Sequence, residues 1–142
     1  MFIRINDSLS VAGQIGPAEI AEAKAQGFTR IVNNRPDGEA PDQPAGDVIA
    51  QAAADAGLDY VAIPAAGGFS VPQVEAMAAA LADAGGPVLA FCRSGTRSTN
   101  LWALASAMQG GDPDALIEQA GAAGYDISGL TPALRQLSAA AR

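Results

Sequence analysis

The sequence contains no histidine, which removes serine–histidine and cysteine–histidine catalysis together with most zinc sites. It contains one cysteine, Cys92, so neither an internal disulfide nor a Cys-x-x-Cys redox pair can form within the chain. Basic residues are also scarce. Eight Lys and Arg against fifteen Asp and Glu leave a net charge of −7, and the basic residues form no stripe. Such a surface repels nucleic acid, so no nucleic-acid partner is expected. An anionic substrate requires instead a local positive pocket set into an acidic exterior. The longest apolar runs fall short of the roughly 18 to 20 residues of a membrane span. The opening Met1-Phe2-Ile3-Arg4-Ile5 lacks the basic, apolar and cleavage segments of a secretory signal. The expectation is a soluble, cytoplasmic protein with no membrane partner, export by another route staying open.

What is present suffices for a core. With 142 residues, 49% of them hydrophobic, the chain reads as one domain over residues 1–142. The sixteen glycines and nine prolines fall between periodic segments and act as punctuation. Residues 2–6 and 9–14 alternate loosely and predict a short hairpin or two edge strands. Pro17 opens a helix to about Gln26, Phe28 to Asn33 is a strand, and residues 45–56 form a helix closed by Gly57. Leu58 to Ile63 is the next strand, and Ser70 with Gln73 makes a capping box for a third helix. Pro87 to Phe91 is short and continuously apolar, as a central buried strand should be. A helix from Arg97 to about Met108 follows, and Asp112-Pro113 and Thr131-Pro132 each pair a capping side chain with proline to start two more. Strand–helix alternation of this kind predicts an α/β fold with a mainly parallel sheet covered on both faces.

Chemistry concentrates where the apolar strand ends, in Cys92-Arg93-Ser94-Gly95-Thr96-Arg97-Ser98. A buried strand running into a short glycine-containing loop and then a helix is an anion-binding device, because loop amides and the helix N-terminus both point positive charge at its centre. The same dipoles and the Arg97 guanidinium favour a thiolate at Cys92, below the free thiol value of about 8.5. Cys92 is therefore read as the nucleophile, Arg97 as a bidentate fork for an oxyanion, and Ser98 as a hydrogen-bond donor to the Cys92 sulfur. Arg93, Ser94, Gly95 and Thr96 line the anion cradle, with Gly95 permitting the turn. Arg93 either adds positive potential or pairs with an acid such as Asp37. Asn33 and Asn34 end a strand at the sheet edge where open α/β folds bind ligands, and are candidates to buttress the loop. Arg35 and Asp37 follow in the Asn-Arg-Pro-Asp-Gly loop. Tyr125-Asp126 reads as a helix-terminating turn. No metal or cofactor is implied.

The heptapeptide resembles the active loop of rhodanese-type sulfurtransferases, which place four residues between cysteine and arginine. The whole chain resembles another group, the phosphatase-like domain found fused to, or encoded beside, β-lactamase-like hydrolases. That resemblance runs from Leu9-Ser10-Val11-Ala12-Gly13-Gln14 through Asn33-Asn34-Arg35-Pro36-Asp37-Gly38 and the cysteine loop to Ala123-Gly124-Tyr125-Asp126. It implies a dual-specificity-phosphatase-like fold: three α/β/α layers around a four-stranded, mainly parallel sheet in order 1-4-2-3. Members of the group are described variously as sulfur transferases or phosphatases. An implied partner is a persulfide dioxygenase or a β-lactamase-like protein.

Two residue-level observations choose between sulfur and phosphorus. Tyrosine phosphatases use His-Cys, five residues, then Arg; here Phe91 stands in the histidine place and the arginine comes one residue early. Phosphate ester cleavage also calls for a general acid, and Ile63 to Ser70 holds none, leaving Asp37 as the one candidate. Both favour sulfur transfer from thiosulfate or a persulfide through a Cys92 persulfide. A cysteine-based phosphatase acting on a phosphate ester, and a non-catalytic anion- or phosphopeptide-binding module, are the alternatives.

Overall fold

The computed structural model describes residues 1–141. It has five strands, β1 (Ile3–Arg4), β2 (Leu9–Ala12), β3 (Arg30–Asn33), β4 (Asp59–Ala62) and β5 (Val88–Phe91). Its helices are α1 (Pro17–Ala25), α2 (Gly46–Ala56), α3 (Val71–Ala82), α4 (Thr96–Met108), α5 (Pro113–Ala122) and α6 (Thr131–Ala140), with a short 3-10 turn at Ser128–Leu130. The strands form one sheet in order β1-β2-β5-β3-β4. β2, β5, β3 and β4 run parallel, and β1 pairs antiparallel with β2. The parallel four reproduce the expected 1-4-2-3 order, so the sheet differs from the four-stranded expectation by one added edge strand.

That strand resolves the N-terminal alternatives. Residues 2–6 and 9–14 form a hairpin rather than two edge strands, and the Asn6 side chain makes its turn by accepting hydrogen bonds from the Ser8 and Leu9 N–H groups, both at 2.9 Å. β2 is an interior strand.

β5 is central because every residue in it is apolar and buried. The two-residue period of a strand sends Val88 and Ala90 into one core and Leu89 and Phe91 into the other. The first core lies under α3 to α6 and includes Leu9, Val11, Val32, Met77, Leu101, Trp102 and Leu134. The second lies under α1 and α2 and includes Ile20, Ile31, Ile49 and Phe91. Phe91 is fully buried, and truncating it to alanine would cost about 3–5 kcal/mol. Trp102 serves the core, as its helical position implies, and Met108 packs against the same cluster.

Local signals fixed the helix starts with one exception. Ser70 and Gln73 make the reciprocal capping box, and Asp112 accepts from the Ala115 N–H at 3.3 Å. Thr131 is instead the first helical residue of α6, and its hydroxyl donates to the Ser128 carbonyl at 2.6 Å within the preceding 3-10 turn. β3 also begins two residues later than expected, at Arg30: the Phe28 N–H still closes the end of α1 on the Ala23 carbonyl at 3.1 Å, and its ring meets Phe2 edge-on with centroids 5.8 Å apart. Among the described residues, no helix is long and apolar enough to cross a membrane.

Candidate active site

Register brings the site together at the carboxyl edge of the sheet. Phe91 is opposite Ala12 on one side and Asn33 on the other. Cys92 therefore emerges flanked by the ends of β2 and β3, and its N–H donates to the Ala12 carbonyl at 3.3 Å. Asn34 is held alongside, its N–H donating to the Phe91 carbonyl at 2.8 Å. Gly13 lets the end of β2 close on the cysteine loop, since a Cβ there would stand 2.9 Å from the Arg93 carbonyl oxygen.

The loop then turns over the sulfur. The Gly95 N–H donates to Cys92 Sγ at 3.1 Å, and Gly95 takes φ +88°, a left-handed conformation that glycine adopts readily. Gly95 is also the N-cap of α4, so the unpaired N–H groups of the helix's first turn face the same region as the sulfur. Cys92 is completely buried, whereas Arg93, Ser94 and Thr96 lie on the exposed rim. The Ser94 and Thr96 hydroxyls bond to each other at 3.0 Å.

Arg97 lies in the first turn of α4. Its Nη1 donates to Glu39 Oε2 and to the Ala65 carbonyl, both at 2.7 Å, and its Nη2 donates to Glu39 Oε1 at 2.8 Å. Glu39 thus grips the guanidinium with both oxygens. Arg35 holds the same carboxylate from behind, Nε to Glu39 Oε1 at 2.9 Å, and reaches Gln14 Oε1 with Nη1 at 3.0 Å. The two guanidiniums, Arg97 foremost, pull the Glu39 carboxyl down from its ordinary 4.5 to about 2 against the opposing effect of burial. Arg97 is raised in turn, first by its hydrogen bond to Glu39 with burial opposing, then by the charge of Glu39 and by Cys92, which acts on it as a neighbouring charge and a hydrogen-bond acceptor. The loop after β4 contributes a carbonyl, Ala65, in place of an acid.

Several expected roles change. Ser98 does not serve the sulfur: its hydroxyl proton goes to Asn34 Oδ1 at 2.8 Å, with both side chains buried. Consecutive helical residues project about 100° apart, so with Arg97 aimed at the cradle Ser98 faces β3. Asn34 completes the link by donating to the Ile63 carbonyl at 3.0 Å, tying the first turn of α4 to the residue after β4. Asn33 turns to its own strand end, accepting from the Arg35 N–H and donating to the Tyr60 hydroxyl at 3.0 Å. Asp37 caps the approach to α2 by accepting the Gly46 N–H at 2.8 Å. Neither Arg93 nor Arg35 pairs with it among the described residues; Arg35 takes Glu39.

Sequence reasoning passed over Glu39, Gln14 and Tyr125. Glu39 and Gln14 adjoin or end quoted segments, and the available signal was their place just past strand ends at the functional edge. Tyr125 donates its hydroxyl to the Ser94 carbonyl at 3.0 Å. Its pKa is raised, chiefly by burial and then by the neighbouring Cys92 charge, so the phenol stays a donor.

The chain is similar to known proteins in sequence and in fold. Residues 2–109 match the model of the "Beta-lactamase hydrolase-like protein, phosphatase-like domain". The chain belongs to that family. A Beta-lactamase hydrolase-like protein of Agrobacterium fabrum is 40% identical over 140 residues, covering 97% of this chain and 32% of the relative. The chain thus spans about a third of the length of the curated relatives it matches. Among solved structures, a phosphatase candidate from Neisseria meningitidis superposes with TM-score 0.82 at 29% identity, covering 95% of this chain and 96% of that one. PTPMT1 in complex with PI(5)P superposes with TM-score 0.76 at 12% identity, covering 99% of each chain, which is a likeness of fold. The chain is a phosphatase-like domain on a tyrosine-phosphatase-type scaffold.

Proposed function

We propose that this domain is a cysteine-based phosphatase that hydrolyses phosphate monoesters through Cys92. The observation that carries the reading is the Cys92–Gly95–Arg97 cradle at the head of α4: a sulfur held by a loop N–H, next to a guanidinium fixed by Glu39. The family's phosphatase-like character supports it over the sulfur-transfer reading that the loop's sequence favours. In the proposed reaction the Cys92 thiolate attacks phosphorus, the P–S bond forms as the P–O bond to the leaving group breaks, and the oxygens of the transferring group rest on loop amides and Arg97. Water then attacks phosphorus, the P–S bond breaks, and inorganic phosphate departs with the thiolate regenerated.

Glu39, charged and bound to two arginines, is a poor proton donor, and Asp37 is engaged with α2. The leaving group therefore departs as its anion or takes a proton from water, which directs the activity toward aryl esters over alkyl ones. Residues 1–142 act as one unit in this reading. A β-lactamase-like hydrolase partner fits the name of the longer relatives.

Sulfur transfer is the second reading, favoured by the four-residue spacing between Cys92 and Arg97 and by the Ala65 carbonyl where an acid would otherwise stand. The deciding experiment sets aryl phosphate turnover by wild type and Cys92→Ser beside intact mass after thiosulfate or glutathione persulfide. Turnover lost in Cys92→Ser and inhibited by vanadate supports the phosphatase. One added sulfur on wild type without phosphate release supports the transferase. Anion binding with neither reaction leaves a binding module.

A further inference from the structure

Tyr125 lies outside the segment matched by the family model, yet it reaches the centre of the cysteine loop. Its bond to Ser94 and the loop's bond to the sulfur meet in a single peptide unit. The Ser94 carbonyl accepts from Tyr125 Oη at 3.0 Å, and the N–H of that same unit, on Gly95, donates to Cys92 Sγ at 3.1 Å. A trans peptide is planar, so its C=O and N–H point in opposite directions. No described peptide bond is cis. Whatever fixes the carbonyl fixes the aim of the N–H.

The unit needs such a tether. Gly95 stands at φ +88°, and glycine adopts positive and negative φ about equally well, so rotating this peptide meets little local steric resistance. Rotation would turn the N–H away from the sulfur and present a carbonyl oxygen to it. Tyr125 is itself well anchored. Gly124 ends α5 at φ +98°, the Tyr125 N–H donates to the Ala120 carbonyl at 2.9 Å, and the following Ile127 is buried in the core. The fit leaves no slack, since a Cβ on Gly95 would stand 2.3 Å from the Tyr125 oxygen.

We propose that Tyr125 is a positioning residue: by holding the Ser94 carbonyl outward it keeps the Gly95 N–H on the Cys92 sulfur and so favours the thiolate that the proposed phosphatase reaction uses. The role rests on that reading for its catalytic consequence, but its effect on the thiol is separable.

The test is Tyr125→Phe, which keeps the ring and removes the one hydrogen bond. Because the chain has a single cysteine, thiolate formation is read by ultraviolet absorbance as pH is raised, each protein against its own Cys92→Ser blank. In Tyr125→Phe the ionisation midpoint is expected to rise by about one pH unit, the scale of one hydrogen bond to a charged sulfur. Aryl phosphate turnover is expected to drop about tenfold at pH values below the wild-type midpoint and to recover as pH passes the new midpoint. An unchanged midpoint overturns the proposal, including the case in which only the melting temperature falls, because that marks Tyr125 as a packing residue alone. If wild type releases no phosphate, the phosphatase reading fails while the midpoint comparison still decides the role of Tyr125.

Discussion

β3 has an arginine cluster at each end, and the two are built oppositely. At its start, Arg30 meets Asp59 at 3.3 Å and Asp83 more closely, and donates to the Ala80 carbonyl at 2.8 Å. One guanidinium there faces two carboxylates, both largely exposed. Just past its end, Arg35 and Arg97 share Glu39. Two guanidiniums there face one carboxylate, and the Cys92 sulfur lies beside them. The first cluster carries a surplus of negative charge and the second a surplus of positive charge, in a chain whose net charge is −7. The positive charge that a Cys92 thiolate or an anionic substrate meets is thus made by giving the two arginines of this edge a single carboxylate to share. Ion pairs alone do not distinguish the two ends; the sign of the surplus does.

Removing that surplus gives the largest expected effect. Arg97→Ala should lower kcat for an aryl phosphate by roughly 10²- to 10³-fold, as loss of a preorganised donor to a developing oxyanion does. Arg30→Met should leave kcat unchanged, and equal losses in steady-state assays of the two variants would erase the distinction between the edges. Glu39→Gln keeps both arginines but weakens the grip on Arg97. A loss of about tenfold in kcat/KM is expected, near the worth of one charge-assisted hydrogen bond.

Ser98→Ala separates structure from chemistry at the same edge. Its hydroxyl serves Asn34, so urea unfolding should show a loss of about 1–3 kcal/mol from an unsatisfied buried acceptor, with kcat changed by no more than a few-fold. A collapse of kcat in a folded variant would restore the sulfur-directed role that the sequence suggested.

The smallest effect is one of pH. Glu39 titrates at about 2 when folded and near 4.5 otherwise, so the folded state holds its proton less tightly. Its contribution to stability is complete above pH 4.5 and is lost as pH falls from there through about 2. The gap in urea midpoint between wild type and Glu39→Gln should therefore narrow between pH 6 and pH 3.

Features carried by neighbours in the chain were legible before the structure. Gly and Pro marked most element ends, Ser70 and Asp112 announced their caps, and the apolar run before Cys92 identified the central strand. Cys92 and Arg97 are close because one short turn joins them. The errors concern partners distant in sequence. Glu39 meets Arg97 across 58 residues and Ser98 meets Asn34 across 64, and no periodicity encodes such pairings. Ser98 was misread because its neighbours in the loop all suggested a role at the sulfur, whereas helical geometry turns it toward β3. Thr131 was misread because a 3-10 turn ahead of α6 already occupied the place of the cap.

The contact from Tyr125 to Ser94 also bears on the order in which the site is assembled during synthesis. The loop, its glycine and Arg97 leave the ribosome together, and Glu39 is already waiting. The tyrosine follows 31 residues after Ser94, carried by a segment whose continuation, α6, supplies the fully buried Leu134 to the core. A chain cut at residue 109, where the family match stops, would carry every residue of the cradle and yet lack both the cover on α4 and the hand that turns its key peptide. The boundary of the family model and the boundary of the proposed working part are different places.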